Sequence, residues 1–210
     1  MTGDRPDPVE GWPVTWDGVV ETLVSTLGPN ERWNVAPFGL RWGNSVTATT
    51  WGRTRTRRNL ERTGSGVIQF PTDPVVFVDA ALSIVEPDEP VLEDATAWVR
   101  VDAEAIETGT EHDTEWTRWE LTPVETQVVE PTVPTLSRAT GAVVEASVAA
   151  SRLGVAGYDN GHGYDIVAWA GTVVDRAGGP RERLAYERLV EHADVDRTEL
   201  DARRTDTDSS

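Results

Sequence analysis

Apolar positions occur as short β-branched blocks or partial alternations through the first two-thirds of the chain, then change to a helical period. Residues 18–27 (GVVETLVSTL) read as a strand closed by the turn chemistry of Gly28-Pro29-Asn30. Residues 33–42 (WNVAPFGLRW) and 45–51 (SVTATTW) flank Gly43-Asn44, which suits a two-residue hairpin turn. The arginine-rich stretch 51–64 (WGRTRTRRNLERTG) predicts a short helix stopped by Gly64-Ser65-Gly66 ahead of a strand over 67–70. Asp73-Pro74 predicts a helix start leading into 75–82, because Asp suits the cap and Pro is tolerated at the first helical position.

Extended character returns over 95–103 and 115–129, joined by a polar turn at 107–113. Beyond Pro131 and Pro134, the residues Leu136, Ala139, Val143, Ala146, Ala150 and Leu153 recur at three- and four-residue steps, the stripe of a helix that buries one face. A glycine-rich loop over 158–163 then precedes a second helix at 164–176. A third helix opens at Gly178-Gly179-Pro180, with Leu184, Ala185, Leu189 and Val190 as its apolar side. Residues 194–210 are polar and charged and are expected to be disordered. The pattern predicts an α+β protein with a strand-rich domain over 14–130, a helical subdomain over 134–192 and an acidic tail over 194–210.

Composition narrows the chemistry. The chain has 210 residues and a formal net charge of -17, and all 19 of its Lys+Arg residues are Arg. Such an imbalance resembles the proteins of salt-loving archaea, in which hydrated surface carboxylates maintain solubility while salt screens their repulsion. Without Lys there is no P-loop lysine, Schiff base or Ser-Lys dyad; without Cys there is no disulfide, thiolate nucleophile or sulfur-ligated metal. The polar, acidic N-terminus carries no signal peptide or membrane-span pattern, so a soluble cytoplasmic protein with no membrane partner is expected. Nucleic acid is disfavoured as well, because phosphate tracking needs an extended basic surface.

That scarcity of positive charge makes residues 53–62 conspicuous, since they hold Arg53, Arg55, Arg57, Arg58 and Arg62. Part of the cluster could be a solvated helix face, as Arg57 and Glu61 stand at i and i+4. Arg58 and Arg62 share that spacing and repel each other, an arrangement that does not serve helix stability. Arg53, Thr54, Arg55 and Thr56 fall where a strand gives way to a helix, so unpaired N–H groups, hydroxyls and guanidinium forks can converge there on a small phosphorylated ligand. Arg57, Arg58 and Arg62 could serve only to bridge to the acidic surface or to raise the local potential.

Several motifs in a fixed order extend this reading. They are Val19-Val20-Glu21-Thr22, the run 34–39 (NVAPFG), 54–60 (TRTRRNL), 66–69 (GVIQ), Thr72-Asp73 with 77–81 (FVDAA), and the helical run 137–153. Together they resemble an archaeal family of uncharacterised flavin-binding split-barrel proteins, similar in fold to flavin reductases and pyridoxamine phosphate oxidase-like proteins. The resemblance covers residues 16–190 and implies a Greek-key split β-barrel that dimerises and binds FMN near the subunit interface. It places Asn34, Ala36 and Pro37 beside the isoalloxazine. It places Arg53, Thr54, Thr56 and Asn59 at the ribityl phosphate, with Arg55 joining that cradle on the charge argument. The chain departs from the family pattern at Thr54, where Ser is common, at Arg57, where an aromatic is expected, and at Gln69, where Asn is usual.

Other features carry less. Trp33, Trp42, Trp51, Trp98, Trp116 and Trp119 could stack on a flavin, but large aromatics more commonly build a core or a dimer interface. His112, His162 and His192 lie in unrelated contexts without ligand spacing, so no metal is expected. Two functional readings follow: an FMN-dependent oxidoreductase of unknown donor and substrate, or a non-catalytic flavin carrier or sensor. A third keeps the barrel and binds another phosphorylated ligand such as a deazaflavin. The charge itself yields a prediction: the melting temperature should rise with molar KCl, and a scanning-calorimetry series showing no rise would remove the salt-adapted reading.

Overall fold

A computed structural model describes residues 11–111, 113–133, 135–155 and 157–207, so His112 lies outside the described residues. The chain forms two compact units. The first runs through Thr72 and resumes over Val85–Thr132; the second comprises Asp73–Ile84 and the chain from Val133 onward.

The first unit is a closed six-stranded antiparallel barrel in the order β1-β2-β3-β6-β5-β4, with β4 pairing back on β1. Its strands are β1 Val19–Leu27, β2 Trp33–Trp42, β3 Val46–Trp51, β4 Ser65–Pro71, β5 Ala95–Glu111 and β6 Thr114–Val128. Helix α1, Arg55–Thr63, lies between β3 and β4 and carries the chain across to the far side of β1, which gives the sheet its Greek-key order. Val24, Phe38, Leu40, Ile68, Val99, Val101, Trp119 and Leu121 fill the barrel, and Leu60 from α1 is packed among them at 1% exposure. Pairing of Trp42 with Val46 leaves a three-residue connection at Gly43-Asn44-Ser45, one longer than the expected hairpin turn.

The main departure in this unit is at 107–113. The expected polar turn belongs instead to a long β5–β6 ribbon that remains paired out to Glu111 and Thr114. Its outer part is solvated on both faces, so no alternation of burial marks it in the sequence. Cross-strand contacts hold it: Arg118 pairs with Glu107 and lies over the Trp116 ring, while Trp116 faces Gly109, where a Cβ would come within 2.5 Å of the indole.

The second unit is helical: α2 Pro74–Leu82, α3 Arg138–Ala150, α4 Asn160–Ala177, α5 Pro180–His192 and α6 Arg197–Thr207. Asp73 caps α2, its Oδ1 accepting from Val75 N at 2.9 Å, as the Asp-Pro signal predicts. Although α2 falls inside the strand-rich stretch of the sequence, its Val75 and Val78 join the core made by Ala139, Val143, Ala146, Val167, Leu189 and Val190. By its contacts α2 therefore groups with the second unit. The expected α3 stripe loses its first member, since Leu136 precedes the Ser137 cap and is fully exposed. The expected 158–163 loop is shorter than predicted, because Asp159 accepts from His162 N at 3.2 Å and starts α4 at Asn160 despite the glycines.

Residues 194–207 also differ from expectation, since most of them form α6, while 208–210 lie outside the described residues. Val195 and Leu200 are buried in the helical core. Arg203 pairs with Glu199 and Asp165, and Arg204 reaches Asp175 at 3.1 Å while lying over the Tyr186 ring. Ion pairs to another helix and a single apolar anchor leave too weak a periodicity for the sequence to reveal.

The burial of Leu60 from α1 in the barrel core yields a prediction. Leu60→Ala should destabilise the barrel by about 2–5 kcal/mol, as for other large-to-small core changes. An unchanged denaturation midpoint in high salt would show that α1 is not anchored through the core.

Candidate functional site

Helix α1 begins where the sequence predicts. Thr54 is its cap, the hydroxyl accepting from Arg57 N at 3.2 Å, and Gly64 ends it at φ 62, a left-handed conformation that only glycine adopts without cost. Two hydrogen-bonded grips bind the helix to the barrel. Thr26 of β1 and Asn34 of β2 stand opposite each other in register, and each holds one α1 side chain. Asn59 Nδ2 donates to Thr26 Oγ1 at 3.1 Å, and Asn34 Nδ2 donates to Thr56 Oγ1 at 3.3 Å. All four residues are buried, so these polar groups depend on one another for partners.

Beside this grip lies an open depression of about 550 Å³ lined by Gly28, Pro29, Asn30, Asn34, Arg55, Arg58, Asn59, Arg62 and Glu86. Of the residues predicted to hold a cofactor, Asn34, Arg55 and Asn59 line it, and Thr56 supports Asn34 directly. Arg53 and Thr54 are exposed just before the helix and are not part of the lining. Ala36 and Pro37 follow on β2, half-buried; strand alternation puts Ala36 on the face of Phe38 and Leu40 and Pro37 on the opposite one.

The arginines divide differently from the sequence reading. Arg57 is the one engaged with the acidic surface, at 2.9 Å from Glu61 and 3.1 Å from Glu115. The Glu61 hydrogen bond, aided by the charges of Glu61 and Glu115 and opposed by burial, holds its guanidinium above the ordinary arginine value. Arg55 is 2.8 Å from Glu86. Arg58 and Arg62, set aside in the sequence as surface charges, line the depression, and among the described residues neither has a carboxylate within salt-bridge distance. Arg62 donates instead to the Leu27 carbonyl. Their repulsive i, i+4 spacing was the signal for this role. Glu86 and the Gly28-Pro29-Asn30 turn carried no such signal.

Gln69, a departure from the family pattern, proves to be structural. At 1% exposure its Nε2 donates to Ser25 Oγ at 2.7 Å and to the Pro90 carbonyl at 3.0 Å, and its Oε1 accepts from Leu92 N at 2.6 Å. It thereby fixes the segment after Glu86 to β1 and β4, while Trp33 N and Val35 N bind the carbonyls of Pro87 and Val85 along the edge of β2.

The remaining candidates lie elsewhere. Trp119 is a core residue whose Nε1 donates to Thr50 Oγ1 at 3.0 Å, and Trp51 is exposed beside Trp116. His162 is exposed in the first turn of α4, and His192 Nε2 lies 3.1 Å from Asp79 Oδ1 in the helical unit. Among the described residues no group of three or more His, Asp or Glu could hold a metal ion, and no helix is long and apolar enough to cross a membrane.

Comparison with known proteins adds a family. Residues 20–130 match the N-terminal domain model of a protein of unknown function (DUF447), and residues 137–191 match the companion model, protein of unknown function (DUF447). A comparison with curated proteins gives no match. Among solved structures, an FMN-bound protein from Methanosarcina mazei of the DUF447 family aligns at TM-score 0.72 with 22% identity, covering 84% of this chain and 96% of that one. That similarity establishes the fold. An FMN-binding protein from Thermus thermophilus with bound 1-cyclohex-2-enone (TM-score 0.36, 14% identity) covers 61% of this chain and 80% of that one. Nitrilotriacetate monooxygenase component B from Bacillus cereus (TM-score 0.39, 16% identity) covers 51% and 68%. At those scores neither adds to the fold assignment.

The Gln69 clamp generates a prediction. Gln69→Leu leaves buried Ser25 Oγ without this partner, at about 1–3 kcal/mol, and frees the half-buried Leu92 N–H and Pro90 carbonyl to water at smaller cost. Amide exchange at Leu92 should accelerate. Undiminished protection there would show that the segment is held by other contacts.

Proposed function

The chain belongs to the DUF447 family, and from that premise we propose that its barrel binds FMN at the depression beside α1 and uses it as an electron carrier. One observation carries this reading: α1 turns Arg55, Arg58 and Arg62 into one depression beside buried Asn34 and Asn59, in a protein whose surface is otherwise strongly acidic. The Methanosarcina mazei protein of the same family is described as FMN-bound, which supports the choice of ligand.

The residues present fit a phosphate monoester. Guanidinium forks suit its oxygens, and a volume of about 550 Å³ lies within the roughly 300–1,000 Å³ of small-molecule sites. In this reading Arg55, Arg58, Arg62 and Asn59 hold the phosphate end, Thr56 fixes Asn34, and Arg53 and Thr54 contribute the local charge and the helix cap. Asn34, Ala36 and Pro37 flank the ring from β2. FMN, when bound, supplies hydride and single-electron chemistry. The chain's own contribution is to anchor, orient and shield, and hydride transfer to or from the cofactor requires no side-chain acid or base. We read the protein as a cytoplasmic, salt-adapted homodimer, with exposed Val19, Trp51, Ile106, Val124 and Val128 as apolar surface available for pairing.

The test is direct. Protein purified in high salt should be yellow and release FMN on denaturation, and the double variant Arg58→Gln/Arg62→Gln should bind FMN more weakly by about tenfold or more while riboflavin binding is unchanged. Equal FMN affinity in that variant would remove the phosphate assignment. Bleaching by NADH, NADPH or a reduced deazaflavin supports the oxidoreductase reading; a colour that no donor bleaches makes the protein a carrier or sensor.

A further inference from the structure

Among the described residues Glu86 is the one carboxylate lining the depression, which it shares with three guanidinium groups. Its Oε1 sits 2.8 Å from Arg55 Nη1, and its side chain is 29% exposed. In a chain with 36 acidic residues an ion pair is unremarkable on a surface, but an acid placed inside an anion-binding depression opposes the charge of the ligand. The backbone of Glu86 does not depend on that ion pair. Arg32 Nε donates to the Glu86 carbonyl at 2.8 Å, Arg32 Nη1 lies 3.5 Å from Asp88, and the main-chain bonds of Val85 and Pro87 to β2 fix either side. The carboxylate is thus delivered to Arg55 by a segment anchored elsewhere.

We propose that Glu86 is a specificity-determining residue that competes with the ligand phosphate for Arg55. Resting on the phosphate-site reading above, this deepens it by naming what limits affinity. With Glu86 ionised, the depression carries a surplus of two positive charges, which matches a phosphate monoester dianion. The phosphate and Glu86 share Arg55, and the repulsion between them sets how tightly the phosphate is held. Riboflavin, which lacks the phosphate, does not feel the competition.

Glu86→Gln keeps the shape and the Arg32 contact to the main chain while removing the charge. It should bind FMN about twofold to fivefold more tightly than the unmodified protein, the range of an exposed ion pair, with the gain shrinking as KCl is raised. Riboflavin affinity should not change. In an Arg55→Gln background the same substitution should give a clearly smaller gain, because the group competed for is gone and only the direct repulsion between Glu86 and the phosphate remains. FMN affinity unchanged or lowered by Glu86→Gln, with an unchanged melting temperature, would overturn the proposal. If Glu86→Gln lowers the melting temperature, Glu86→Ala decides: a gain in FMN affinity as large in the Arg55→Gln background as in the unmodified one would overturn it. Inorganic phosphate separates the two readings. If no variant binds FMN but phosphate raises the melting temperature of Glu86→Gln more than that of the unmodified protein, the flavin reading fails and the competition stands. If neither FMN nor phosphate binds any variant, both fail.

Discussion

The grip of the Thr26–Asn34 strand pair on α1 is the contact on which the candidate site depends. A helix inserted between β3 and β4 has to cover barrel apolar surface and keep its polar groups satisfied. Leu60 does the first, and Asn59 and Thr56, bound to opposite members of one registered strand pair, do the second. Because these polar groups are buried and mutually dependent, a rotation of α1 would leave several unpaired at once, which confines the helix to one orientation. The direction of Arg55, Arg58 and Arg62 follows from that confinement.

Charge is distributed with the same economy. Where acidic residues are nearly twice as numerous as arginines, the default fate of an arginine is a nearby carboxylate. Arg57 with Glu61 and Glu115, Arg203 with Asp165 and Glu199, and Arg204 with Asp175 show that default. Arg58 and Arg62 depart from it, and both do so at one depression. Exposed pairs of the first kind contribute little to stability, so what they chiefly do is keep part of the positive charge occupied away from that depression.

Much of the architecture was legible in the sequence. β-Branched blocks with turn residues gave β1 to β3, the Asp73-Pro74 pair gave the start of α2, and Gly64 gave the end of α1. What was not legible falls into two physical groups. Elements solvated on several faces leave no burial pattern, as in the outer β5–β6 ribbon and α6, which is held by ion pairs and one leucine. Long-range partnerships also have no local mark: Glu86 meeting Arg55, Gln69 clamping Pro90 and Leu92, and α2 joining the helical core. The arginine cluster was found at once, yet its division between ligand-facing and surface-facing members required the helix phase relative to the barrel.

The placement of α2 has a consequence for how the chain is made. Its Asp79 pairs with Arg188, 109 residues further along, and the apolar side carrying Val75 and Val78 is completed only by α3 and α5. As synthesis proceeds from the N-terminus, every barrel strand emerges before those helices, so α2 must wait with that side uncovered while its neighbours on either side in sequence fold. It follows that no single cut in the polypeptide yields both units whole: a fragment beginning at Val133 lacks α2, and a fragment ending at Thr132 carries α2 without its partners.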